Sequence, residues 1–151
     1  LNAIFPDASF VHLVREGREV AASSLRRGRR EAESSNWWGA KPPGWQNMLS
    51  EPTIVQSAWM WEQCLRIGRQ SARQLEPHRY HELSYEALTE SPEETLRDLL
   101  QAVELSDNNF FTAEIRAYLE TLENRNERWT EELTAEDQKL LLRQLEQSEV
   151  P

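Results

Sequence analysis

The sequence predicts an α/β fold that is mostly helical, with about two strands, in a single domain over residues 1–151. Three observations predict it. Only two short runs, 10–14 and 79–83, have the apolar or β-rich character and the length of strands. Five longer stretches repeat apolar residues at helical spacing. Each strand run passes straight into a helical pattern, the strand–turn–helix order of α/β proteins.

The elements follow in order. Residues 1–5 read as the last turn of a helix, and with no initiator methionine the expectation is a fragment of a longer chain. Phe10-Val-His-Leu-Val14 is continuously apolar except for His12, which predicts a strand buried on both faces. His12 inside it reads as a satisfied sheet residue rather than a catalyst. Arg15-Glu16-Gly17 turns the chain into a helix over 18–30. Residues 31–50, with Ser34-Ser35-Asn36, Trp37, Trp38, Pro42, Pro43 and Trp45, read as a long loop. Its tryptophans either line an acceptor pocket or clamp the loop onto the core.

A helix is expected over 53–75, because Ile54, Ala58, Trp61, Leu65, Gly68, Ala72 and Leu75 step by fours and threes. Cys64 beside that stripe reads as an inert buried thiol. The strand at 79–83 leads into Ser84-Tyr85-Glu86-Ala87-Leu88. Ser91-Pro92-Glu93-Glu94 is a helix start with a capping box. Leu96, Leu99, Leu100 and Val103 give that helix its apolar face. Another helix is expected over 112–123 through Ile115, Tyr118, Leu119 and Leu122. Thr134 caps a last one carrying Leu140, Leu141, Leu142 and Leu145.

Composition removes several function classes. The net charge is −9 and the isoelectric point about 4.9, which argues against a nucleic-acid partner. No run of eighteen apolar residues exists, so no membrane span is expected. Three scattered histidines and one cysteine make neither a zinc site nor an internal disulfide. The lone thiol and the absence of a visible signal peptide point to a cytoplasmic protein.

Against that acidic background, Arg15, Arg18, Arg26, Arg27, Arg29 and Arg30 fall within one short segment. Local positive charge in an acidic chain suggests one specific anionic ligand. In open α/β sheets ligands sit beyond the carboxyl ends of the strands, where Arg15 stands. Ser23 lies eight residues on, and Ser23 and Arg27 share a helix face, a fork suited to one phosphate. The alternative is a solvated basic helix with a salt-bridged start.

The run from Phe5-Pro-Asp-Ala through Val-Arg15-Glu-Gly-Arg18 to Ser23 resembles the 3′-phosphate-binding segment of the sulfotransferases that use PAPS, 3′-phosphoadenylyl sulfate. The resemblance implies that Arg15 and Ser23 hold the cofactor's 3′-phosphate. It implies the same for Arg27, as in the branch that includes tyrosylprotein sulfotransferases. The turn at 16–18 looks like the bacterial and tyrosylprotein-type branches more than the cytosolic small-phenol branch. Ser84-Tyr85-Glu86-Ala87-Leu88 resembles the family's Tyr-Glu-Asp-Leu element, with Ala87 in an acidic position, and this would place Tyr85 near the adenine. Read alone, Tyr85 is a tyrosine packed at a sheet edge. Residues 123–133 resemble the C-terminal cofactor loop, which points to Arg128 and, more weakly, Arg125. Glu127 stands where a glycine is usual, so a carboxylate there would have to point away from the phosphate.

What the resemblance implies is the C-terminal portion of a P-loop-like fold with two parallel strands, and sulfuryl transfer from PAPS to a hydroxyl or amine, leaving PAP. The family's first strand and P-loop are missing from this portion. The 151 residues contain no Gly-rich loop followed by Lys or Arg at a helix start. The 5′-phosphosulfate loop and the catalytic base lie upstream in the family's order, so no catalytic residue is assigned and the portion alone is expected to be inactive. The acceptor, small molecule or protein, is not specified. Two other readings stand beside this one. One is a non-catalytic helical module that self-associates through an exposed sheet edge. The other is a relative of the P-loop kinases.

Overall fold

The strand runs and helical stripes give, in a computed structural model describing residues 2–31, 37–126 and 128–148, a mostly helical chain with two parallel strands. Its residues divide into two compact units, Leu1–Arg15 with Arg69–Asn124, and Glu16–Gly68 with Arg125–Pro151. Ser34, Ser35, Asn36 and Glu127, named in the sequence reading, lie outside the described residues.

In the first unit, β1 (Phe10–Val14) pairs with β2 (Tyr80–Ser84) in parallel, with Phe10 opposite Tyr80 and Val14 opposite Ser84. Alternation sends Val11 and Leu13 to one face, where they are 47% and 53% exposed. The expected burial of β1 on both faces is therefore wrong: a continuous apolar run does not say how many faces are covered. Residues 2–4 form a turn. Arg79 ties this segment down, its Nε donating to the Ala8 carbonyl at 3.0 Å and its Nη2 to that of Phe5 at 3.2 Å.

Behind β2 come α3 (Tyr85–Glu90), α4 (Pro92–Ala102) and α5 (Ala113–Leu119). Ser84 caps α3, accepting from the Ala87 N–H at 3.2 Å. Ser91 stands at the start of α4, but its side chain makes no capping bond, so the expected capping box does not form. Its N–H is instead bound to the Ala87 carbonyl that closes α3. Thr112 caps α5 through the Ile115 N–H. That helix stops at Leu119, short of 123, and leaves Tyr118 65% exposed.

In the second unit, α1 (Gly17–Glu31) packs with α6 (Arg128–Glu132) and α7 (Ala135–Glu146). The core joins Ala21, Ala22 and Leu25 of α1 to Ile54 and Ala58 of α2 (Thr53–Ala72), with Trp129, Leu133 and Leu141. Thr134 caps α7 as expected, accepting from the Asp137 N–H at 3.1 Å. Of the leucines on α7, Leu141 is fully buried while Leu142 is exposed.

The tryptophan loop lies on α2. Trp37 is buried, donates its indole N–H to the Ala40 carbonyl at 2.8 Å, lies tilted against Trp45 and meets Trp59 edge-on. These contacts make Trp37 a clamp. Gly39 has φ +98° and passes so close to Met60 that a Cβ would meet its sulfur at 2.8 Å. Cys64, one helical turn beyond Met60, is exposed, contrary to the buried thiol expected. Enough protein surrounds the sulfur that partial burial still raises its pKa.

Candidate functional site

Within the first unit, the parallel register sets two side chains together. Val14 and Ser84 are paired, so the residues that follow them leave the carboxyl ends of neighbouring strands. Those residues are Arg15 and Tyr85. The Arg15 guanidinium lies over the Tyr85 ring, 4.2 Å from its centroid. A cation above an aromatic face at this distance is held by the ring quadrupole. The phenol hydroxyl in turn donates to the Glu123 carbonyl at 3.1 Å, which fixes the ring.

Beside them a polar relay crosses the strands. Arg69 forks onto Glu82, Nε to Oε1 at 2.8 Å and Nη2 to Oε2 at 3.0 Å. Tyr80 donates to Glu82 Oε1 at 2.9 Å, and His12 Nδ1 lies 2.7 Å from the Tyr80 oxygen. A phenol has one proton. With that proton directed at Glu82, His12 is the donor in the last contact. The Arg69 hydrogen bond holds the Glu82 carboxyl below its ordinary pKa. Burial, then the bond to Glu82, pushes Tyr80 up to about 12. His12 is thus a hydrogen-bonded sheet residue, as the sequence indicated.

In the second unit, Ser23 and Arg27 stand one turn apart on α1, Ser23 half-buried and Arg27 exposed. Arg128, exposed, opens α6, where the sequence reading expected a loop. Arg125, the weaker candidate, is also exposed. Helix α6 forms because Trp129 is buried in the core and Leu133 beside it belongs to the same cluster. Two side chains of α1 hold α6 in addition. The Arg18 guanidinium lies 5.3 Å from the Trp129 ring centroid, and Arg26 is paired with Glu132. Sequence reasoning counted Arg18 and Arg26 as free positive charge. Their spacing with Ala22 on one helix face was the available signal that they face a partner.

The expected residues therefore occupy two places: Arg15 with Tyr85 in the first unit, and Ser23, Arg27 and Arg128 in the second. Among the described residues, no cluster of histidine, cysteine, aspartate or glutamate could hold a metal ion, and no helix is long and apolar enough to cross a membrane. The chain matches the sequence model described as "Sulfotransferase family" over residues 1–109. It belongs to the sulfotransferase family. Four of the five expected site residues of this sulfotransferase, Arg15, Ser23, Arg27 and Tyr85, lie inside the matched segment, and Arg128 lies beyond it. The match is to the family as a whole and favours neither the bacterial nor the tyrosylprotein-type branch. No curated protein and no solved structure matches the sulfotransferase significantly.

Proposed function

We propose that this sulfotransferase takes PAPS as its sulfuryl donor, and that Arg15, Ser23, Arg27, Tyr85 and Arg128 bind the 3′-phosphate and adenine end. The observation that carries the reading is Arg15. It follows a parallel strand at its carboxyl end, lies on the Tyr85 ring, and precedes by eight residues the helical Ser23. The donor set suits the group. Arginines carry charge at any working pH and match phosphate oxygens in fork geometry. A serine hydroxyl adds a neutral donor. When bound, the cofactor would supply a sulfuryl group for transfer to the hydroxyl or amine of an acceptor. The residues named here would bind and orient its distant end, and none of the 151 is given a role at sulfur.

Calorimetric titration of the full chain with PAP, against adenosine 5′-phosphate as the ligand lacking the 3′-phosphate, tests this. PAP is expected to bind clearly better. Arg15→Ala is expected to weaken PAP by about 2 kcal/mol, the loss of a charge-assisted pair, and to leave adenosine 5′-phosphate nearly unchanged. Equal binding of the two nucleotides would overturn the 3′-phosphate assignment. Preference for ATP over PAP would support the kinase relative. A folded chain that binds neither would be a non-catalytic module.

A further inference from the structure

Ser23 sits in the middle of α1, where a serine hydroxyl usually donates back to the carbonyl four residues earlier. A proton used that way could not reach a ligand. Among the described residues, no carbonyl accepts the Ser23 proton. What Ser23 meets instead is Arg26, whose Nη2 lies 3.4 Å from its Oγ. A guanidinium has only donors, so Arg26 occupies a lone pair of Oγ and leaves the O–H to point elsewhere.

The same guanidinium is anchored at its other terminal nitrogen. Arg26 Nη1 is paired with the Glu132 carboxylate. Glu132 belongs to α6, which Trp129 and the adjoining Leu133 fix in the core against Ala21, Ala22 and Leu25 of α1. A planar fork held at one end has little freedom at the other. Glu132 also offsets the charge of Arg26, which makes it a poor partner for a phosphate in its own right. Arg27, next in sequence, is exposed as well.

We propose that Arg26 is a positioning residue: tethered by Glu132, it occupies the Ser23 oxygen and turns the hydroxyl proton outward as a donor to an anionic phosphate. The inference rests on the reading of Ser23 as a 3′-phosphate ligand. It also draws α6, which lies beyond the residues matched to the family, into the organisation of that ligand set.

A double-mutant cycle on the full chain separates this from a structural role. PAP and adenosine 5′-phosphate affinities are measured for wild type, Ser23→Ala, Arg26→Leu and the double variant, with thermal unfolding of each as the folding control. Arg26→Leu is expected to weaken PAP roughly five- to tenfold, the upper part of the range for one ordinary hydrogen bond, because the Ser23 hydroxyl stays but loses its orientation. Adenosine 5′-phosphate should be unchanged. In the Ser23→Ala background the same substitution should have almost no further effect, because the two residues act as one. Arg26→Lys keeps the charge without the fork and should resemble Arg26→Leu. Equal losses in both backgrounds, or full affinity in Arg26→Lys, would overturn the positioning role. A wild-type chain with no preference for PAP would instead overturn the reading beneath it.

Discussion

Gly17 offers a sharp test of how the helix after the first strand is seated. Its φ is not in the left-handed region, so space rather than backbone freedom is what the glycine provides. A Cβ built there would lie 2.9 Å from Trp61 Cε3, 2.9 Å from Cζ3 and 3.0 Å from Cη2. Carbon–carbon contacts are comfortable from about 3.5 Å, so the methyl group of Gly17→Ala needs roughly half an ångström. Three atoms of one rigid ring resist together, and the ring cannot yield by bending a flexible tip. Overpacking of this kind costs about 1–3 kcal/mol. Replacing glycine by alanine returns about 0.4–1 kcal/mol through the unfolded chain. The expected net loss is about 1–2 kcal/mol. For a chain of this size that is a fall in Tm of about 3–7 °C. Urea unfolding followed by tryptophan fluorescence reads the loss directly. In the same assay Trp61→Leu should open the space, so that Gly17→Ala costs at least about 1 kcal/mol less in that background. A neutral or stabilising Gly17→Ala, or strict additivity with Trp61→Leu, would refute the close approach.

Further outcomes are expected. Tyr80 should ionise at about pH 12, seen as a late component of the phenolate absorbance near 295 nm that Tyr80→Phe removes. Its raised pKa means stability present at lower pH and lost as pH climbs from about 10 through about 12. Glu82 has the opposite sign: its lowered pKa contributes stability above the ordinary carboxylate range, lost as pH falls through the folded value, and Glu82→Gln should flatten that acid limb. Cys64 should react with an aromatic disulfide reagent in the folded protein, slowly at neutral pH and faster as pH rises. Reaction only after unfolding would contradict its exposure. The open face of β1 and the edges of a two-stranded sheet should promote concentration-dependent self-association. Sedimentation should show Val11→Lys to be less associated than wild type, and equal behaviour would remove that face from the interface.

Much of the fold was legible because the elements announce themselves locally. The stripe of Ile54, Ala58 and Leu65 and the capping threonine at 134 carry their own signals, and both stand in the structure. What escaped depends on segments distant in sequence. Met60 is buried off the stripe against Gly39 of the tryptophan loop, and Gln56 is buried while donating to the Glu51 carbonyl at 2.8 Å. Cover at Met60 does not extend to Cys64, and no periodicity could say where it would stop. Of the expected ligand residues, the sequence located Arg15 and Tyr85 separately. Only the strand register puts the guanidinium on the ring. The pairing of Arg26 with Glu132 joins residues 106 positions apart, and charge counting along the chain could not see it.

That pairing changes what the arginine-rich segment can do at long range. Arg18 is matched by Glu16 and Arg26 by Glu132, so two of its positive charges are cancelled within a few ångströms. Seen from beyond a Debye length, about 10 Å at 0.1 M salt, the segment is much weaker bait than its composition promises. With those two charges committed, an acidic chain has less positive charge with which to gather nucleotides by steering them from solution. Discrimination would have to arise after encounter, in the lifetime of the complex rather than in the speed of its formation. Added salt should therefore slow capture only modestly.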